Sequence, residues 1–183
     1  GLLPRWRHAL GSGAVLCDLP GTGNLVRPGI AAYGIDPHGT GTRDLRPVLA
    51  WRTQVVFLKD HRRGSRIGYG GTWRAPSRAR IATLPVGYND GYRFAFSNKA
   101  EVLVRGQRCP VVGRVSMDYT SVDVSRVDGA AVGDVVTLLG PDGDAVIPAE
   151  ELAAHAESIP YEILCGIGQR VRRQYVRGDA GRA

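Results

Sequence analysis

Thr120-Ser121-Val122-Asp123-Val124-Ser125 alternates a β-branched residue with a small polar or acidic one, the period of two expected of a strand with one face in a core and the other in water. Trp51-Arg-Thr-Gln-Val-Val-Phe57 repeats the pattern and predicts a second half-buried strand, with Trp51, Thr53, Val55 and Phe57 on one face. Working outward, strands are predicted at 81–86, 101–104, 111–116 and 135–139, separated by turn signals such as Asn89-Asp-Gly91 and Pro141-Asp-Gly143. Many short strands at close spacing predict a mainly β, antiparallel fold, a small barrel or sandwich. One segment, 148–159, reads as a plain helix: Pro148 opens it, Glu150 and Glu151 occupy the first turn, and Leu152, Ala156 and Ile159 form one stripe. Residues 161–169 fit either helix or strand, and 170–176 are compatible with a last strand.

Upstream the texture changes. From 1 to 43 short apolar bursts, Ala14-Val15-Leu16 and Leu25 to Ile35, alternate with glycines, as buried strands with tight loops do. Asp36-Pro-His-Gly-Thr-Gly-Thr-Arg-Asp44 has no apolar period and reads as a linker, so a domain boundary is placed between 43 and 44. At 183 residues and 43% apolar composition the chain fills one domain and a fragment of another. The chain opens on Gly1 and its single methionine is Met117, which predicts a processed or cropped product.

Net charge is +7, yet of 24 basic residues only Lys59 and Lys99 are lysines. The arginines are scattered, with one dense cluster at Arg170, Arg172, Arg173 and Arg177, read as a solvated face rather than a polyanion site. A basic barrel that binds nucleic acid predicts aromatics interleaved with these arginines, and there are few. Cys17, Cys109 and Cys165 lack any CxxC spacing and are expected to be buried free thiols in a reducing compartment. No apolar run is long enough for a membrane span or a signal peptide, so a soluble cytoplasmic protein is expected. Four separated histidines, His8, His38, His61 and His155, offer no metal-ligand spacing. Gly11-Ser12-Gly13 suits a phosphate contact, since small neighbours let backbone N–H groups approach an anion. Tyr69, set among Gly64, Gly68, Gly70 and Gly71, is either an exposed functional aromatic or an ordinary hairpin tyrosine.

In order along the chain, these segments resemble the C-terminal part of the alanine racemase family. His8-Ala-Leu-Gly-Ser12 resembles its phosphate-contacting serine loop, and Val26-Arg-Pro-Gly-Ile-Ala-Ala-Tyr-Gly34 the strand with an arginine facing the pyridine of pyridoxal 5'-phosphate (PLP). Gly68-Tyr-Gly-Gly-Thr-Trp73 resembles the catalytic-tyrosine loop. Leu84-Pro-Val-Gly-Tyr-Asn-Asp-Gly91 and Val112-Gly-Arg-Val-Ser-Met-Asp118 resemble the segments that build the substrate entrance, while Gly133-Asp-Val-Val and Ile159-Pro-Tyr-Glu-Ile-Leu-Cys165 complete the series.

The resemblance implies that 1–43 are the last pieces of a PLP-binding (β/α)₈ barrel and 44–183 the β domain, in a head-to-tail homodimer. The implied activity is interconversion of L-alanine and D-alanine, which supplies D-alanine for peptidoglycan, with one face of Cα served by the PLP lysine and the other by Tyr69 lent to the partner subunit. A phenol, with an ordinary pKa near about 10, needs positive charge or hydrogen bonds nearby to act as a base at neutral pH. Ser12, Gly29 and Ile30 match phosphate contacts, the last two through backbone N–H groups. Arg27 matches the pyridine-facing arginine, which keeps its own proton and leaves the ring a weaker electron sink. Met117 matches the residue whose backbone meets the substrate carboxylate, although ordinary core filling is the alternative, and Tyr88, Arg114 and Asp118 match the entrance walls. Two positions depart from the pattern: Gln169 stands where many members carry a tyrosine, and Phe94 where an arginine is common, with Arg93 one place early. The PLP (Schiff-base) lysine belongs to a segment preceding this sequence, so the chain alone is expected to be inactive. Two other readings stay open, a racemase of another or broader amino-acid range and a non-catalytic β-barrel interaction module.

Overall fold

The computed structural model describes residues 4–21, 23–39 and 45–176. The predicted domain boundary, most of the linker's second half and Arg177 lie outside them. Strands β1 (His8–Gly11) and β2 (Leu25–Arg27) form a small parallel pair, with helix α1 (Ser12–Leu16) between them. Ala14-Val15-Leu16, expected as a strand, is therefore helical. Leu25 and Val26 are 43% and 44% exposed, so β2 is not the buried strand its composition suggested.

The remaining strands are antiparallel: β3 (Trp51–Gln54), β4 (Phe57–His61), β5 (Arg66–Ile67), β6 (Trp73–Arg74), β7 (Ala79–Leu84), β8 (Glu101–Val104), β9 (Gln107–Pro110), β10 (Thr120–Asp123), β11 (Val135–Asp142) and β12 (Ala145–Ile147). They form a five-stranded sheet around β11, a three-stranded sheet in the order β10-β7-β4, and the β5-β6 hairpin. The two larger sheets meet at two corners. At one, the chain passes from β3 to β4 while the Val55 N–H donates to Asp134 O (2.9 Å) and the Val56 N–H to Thr83 O (3.0 Å). At the other, Val111, just past β9, bridges to Val122. This arrangement is barrel-like, but the ladders do not close into one barrel among the described residues.

The first corner corrects the sequence reading. Trp51 and Val55 point inward, but Val55-Val56 switches sheets, so Phe57 emerges 54% exposed on the edge strand β4. Thr120, Val122 and Val124 are all buried, as alternation predicts. Residues 112–116 form no strand, because they leave β9 to build a loop at the site, and 170–176 form none either. The predicted helix is α2 (Ala149–His155), N-capped by Pro148. It ends before Glu157, whose φ is +52°, and leaves Ile159 57% exposed. Ile159 instead caps α3 (Pro160–Gly166), in the segment that fitted either element. Of the three thiols only Cys109 is buried, and burial pushes it up to about 12, which makes it a packing residue; Cys17 and Cys165 are exposed.

β8 and β9 are joined by Arg105-Gly106, both with positive φ (51° and 73°), the two-residue hairpin turn whose twist matches its strands. At the centre of the core Tyr92 packs edge-on against Trp51 (5.9 Å between centroids) and Phe96 (4.8 Å). Its ring is fully buried, and its hydroxyl has no hydrogen-bond partner among the described residues. Burial, aided by the Glu151 charge, holds the phenol protonated far above its ordinary range. A buried unsatisfied hydroxyl costs about 1–3 kcal/mol, so Tyr92→Phe is expected to stabilise the protein by about 1 kcal/mol. Denaturant titration checks this, and a loss of similar size would contradict it.

Candidate active site

Two groups of residues lie at different places in the fold. The first lines a cleft of about 510 Å³ and comprises Tyr69, Tyr88, Arg114, Met117 and Asp118, together with Phe94 and Tyr119. All five entrance and catalytic residues expected in the β domain meet here, from three separate loops.

Tyr69 stands in a turn between β5 and β6, where Gly68 (φ +71°, ψ −177°) and Gly70 (φ +71°) hold backbone conformations that an L side chain rarely adopts. The turn holds the phenol outward, 73% exposed. A Cβ on Gly68 would lie 3.2 Å from the Arg114 backbone nitrogen, and one on Gly70 3.4 Å from Arg114 Nη1. The Arg114 guanidinium thus lies alongside the residue next to Tyr69 and brings positive charge to that loop.

The second loop is the turn Tyr88–Asp90. The Tyr88 N–H donates to Ser116 O (3.0 Å) and the Asn89 N–H to Met117 O (3.1 Å). A side chain on Gly87 would overlap the carbonyls of Ser116 and Met117. The third loop, 116–119, closes on itself: Ser116 Oγ donates to Tyr119 O (2.9 Å) and accepts the Tyr119 N–H (3.1 Å). It presents Met117, 51% exposed on the cleft and not in the core.

Sequence reasoning missed the residues that join these loops. Asn98, at φ +57°, accepts the Gly113 N–H on Oδ1 (2.6 Å) and donates from Nδ2 to Thr72 Oγ1 (3.1 Å). Ser97 Oγ accepts the Val115 N–H (2.9 Å) and donates to Phe94 O (2.5 Å). Their signal was a Ser-Asn-Lys turn, and an asparagine in the left-handed region is the clue that the turn serves as a fastening. Arg170, read as part of a solvated tail, ion-pairs with Asp118 (2.8 Å) and Asp90 (3.3 Å).

The departures from the family pattern are visible too. Phe94 lines the cleft, with Arg114 Cζ 6.0 Å from its ring centroid, a cation–π distance. Arg93 turns away to Glu162 (2.9 Å) and contributes nothing to the cleft. Gln169 is exposed beside Arg170.

The second group is Ser12, Arg27, Gly29 and Ile30, none of which lines the cleft. Ser12 is buried at the start of α1, and its Oγ accepts the N–H groups of Gly29 (2.8 Å) and Ala31 (3.2 Å). A hydroxyl that accepts two N–H bonds still has its own proton to donate, so Ser12 fits an anion contact. The Gly29 N–H is already given to Ser12. The Arg27 guanidinium contacts His8 Nδ1 and reaches Ala9 O (3.4 Å), which orders an otherwise exposed cation. Ile30 buries its side chain in the main core, leaving only its backbone for a ligand. Among the described residues no cluster fits a metal ion.

Known proteins resemble this chain in both sequence and fold. A family model described as "Alanine racemase, C-terminal domain" matches residues 48–175. Alanine racemase of Geobacter sp. (strain M21) is 50% identical over 182 residues, covering 96% of this chain and 48% of that protein. The crystal structure of alanine racemase from E. faecalis superposes with a TM-score of 0.89 at 35% identity, over 96% of this chain and 47% of the other. That of the Bartonella henselae enzyme, with covalently bound pyridoxal phosphate, gives 0.84 at 34%, over 96% and 48%. The chain spans about half the length of the relatives it matches. With so much of its length aligned both in sequence and in space, the chain belongs to the alanine racemase family and carries that family's C-terminal domain.

Proposed function

We propose that the chain is the C-terminal part of a PLP-dependent alanine racemase that interconverts L-alanine and D-alanine. The observation that carries this is the convergence of Tyr69, Tyr88, Arg114, Met117 and Asp118 on one cleft. Bound PLP supplies the electron sink that makes the Cα proton of an amino acid removable. The chain's own residues do the rest. With PLP bound, the Ser12 hydroxyl would donate a hydrogen bond to the phosphate. Arg27, ordered by His8, would hold the pyridine ring as a hydrogen-bond donor while keeping its own proton. The phenol oxygen of Tyr69 takes up or returns the Cα proton on one face, with the Arg114 charge beside its loop. A lysine from a barrel segment outside this chain serves the opposite face. The Met117 backbone and Arg114 meet the substrate carboxylate.

Tyr69, Tyr88, Phe94, Met117 and Tyr119 are each between 45% and 73% exposed around this cleft, an apolar rim suited to burial against a second subunit. That supports a homodimer in which Tyr69 is lent across the interface. No helix among the described residues is long and apolar enough to cross a membrane. A cytoplasmic enzyme supplying D-alanine for peptidoglycan is the setting we infer. One observation favours a broader amino-acid range: Phe94 replaces a charge on the cleft wall with an aromatic ring, which tolerates apolar side chains.

Neither lysine replaces the missing one. Lys59 lies on the edge strand β4, and Lys99 reaches Glu157 (3.8 Å). The 183-residue chain incubated with PLP and L-alanine is therefore expected to form no D-alanine above the enzyme-free rate, whereas the chain joined to a family barrel carrying the PLP lysine forms it readily. A chiral amino-acid assay reads both arms. Activity in the first arm, or none in a folded, PLP-loaded second arm, contradicts the reading.

A further inference from the structure

Among the described residues, Asp118 is the sole acidic and Arg114 the sole basic side chain lining the cleft. Left to themselves the two would compensate each other, and a substrate carboxylate would compete with Asp118 for the cation. Among the described residues, however, Arg114 makes no ion pair, and its guanidinium lies over the Phe94 ring. Asp118 is bound from outside the cleft, by Arg170 Nη1 at 2.8 Å, while Arg170 Nε lies 3.3 Å from Asp90 Oδ1. Asp90 is itself buried, and its other oxygen accepts the Gly87 N–H (3.0 Å).

The backbone that carries Arg170 is fixed as firmly. The Gly168 N–H donates to Asp90 O (2.8 Å), and a Cβ on Gly168 would lie 3.1 Å from Asn89 O. The Arg173 guanidinium donates to the carbonyls of Ile167 (2.6 Å), Val171 (2.7 Å) and Gly168. Arg170 is thus held at a set height beside the 88–91 turn.

We infer that Arg170 is a positioning residue for the racemase cleft: it holds and neutralises Asp118 from behind, so that Arg114 faces the cleft as an uncompensated cation for the substrate carboxylate. This rests on the proposed racemase function. It makes Asp118 a spectator charge whose influence on substrate binding depends on Arg170.

A charge cycle in the full-length enzyme tests it, with KM and kcat for L-alanine and inhibition by propionate, the alanine carboxylate without its amine, measured at low salt. A unit charge within about 10 Å in a partly solvated site changes anion affinity about threefold to tenfold. Arg170→Gln is expected to raise KM and the propionate inhibition constant by that factor, with kcat within about twofold. Asp118→Asn, which removes one of the two carboxylates that share Arg170, is expected to lower the inhibition constant, and the double variant to fall back near wild type. High salt should shrink every difference. An unchanged inhibition constant in Asp118→Asn, or a double variant as impaired as Arg170→Gln, overturns the inference. The near-isosteric Asp118→Asn decides the matter alone if Arg170→Gln does not fold. A wild-type enzyme without racemase activity would instead remove the reading on which the inference rests.

Discussion

Tyr69→Phe in the full-length enzyme is expected to lower kcat for alanine racemisation by about 10³-fold in both directions, within the range a positioned general acid–base contributes. Only the phenol oxygen is lost. The ring stays in a turn set by Gly68 and Gly70 and is largely exposed, so neither the melting temperature of the β domain nor PLP binding should change. A one-face defect has a second signature. On the proposed two-base reading a barrel lysine still exchanges the Cα proton of one enantiomer in heavy water, so that enantiomer should gain deuterium without inverting. Loss of inversion and retained exchange on one hand only would identify the tyrosine side of a two-base site. A variant that racemises within tenfold of wild type would show that another group does this work.

Gly91→Ala is expected to unfold the site and a good part of the domain with it. Gly91 has φ +101°, outside the left-handed well that asparagine or aspartate tolerates, and a side chain there would run into the carbonyl of Gly166. Strained backbone costs about 1–3 kcal/mol, and the overlap with a backbone atom that cannot step aside adds to it. A loss of at least about 3 kcal/mol is expected, which for a domain of this size lowers the melting temperature by about 6–12 °C. Gly143→Ala is the comparison: Gly143 also has positive φ, at +60°, but nothing lies within 4 Å of its added Cβ, so only the milder backbone cost of about 1–2 kcal/mol applies. If the two variants melt together, the close approach of the 88–91 turn to α3 is not what holds them.

Much of the fold was legible because alternation reports burial directly. Thr120, Val122 and Val124 face the core as written, and Glu101–Val104 is a strand with the predicted bounds. The failures fall where a local pattern continues across a change of partner. Val55-Val56 keeps the rhythm of β3 while passing to another sheet, and no local signal marks the handover. Ala14-Val15-Leu16 is too short an apolar run to distinguish helix from strand. Ile159 fits the period of α2, but the chain turns at Glu157 before reaching it. At the site, the motifs named side chains that the structure brings to one cleft, because each motif carries its own glycines. What they could not show is the connection between loops: Asn98 reaches back 26 residues to Thr72, and Arg170 reaches back 52 to Asp118.

The Asn98 fastening has a bearing on re-engineering. Because one amide holds Thr72 with one end and Gly113 with the other, the tyrosine loop and the Arg114 wall share a single rivet. A graft of residues 68–72 from a relative of different specificity would arrive without its anchorage. The smallest transplantable unit is a discontinuous set, the tyrosine loop with 97–98 and 113–115, and chimeras cut between these segments should misalign the loop even when every motif residue is present.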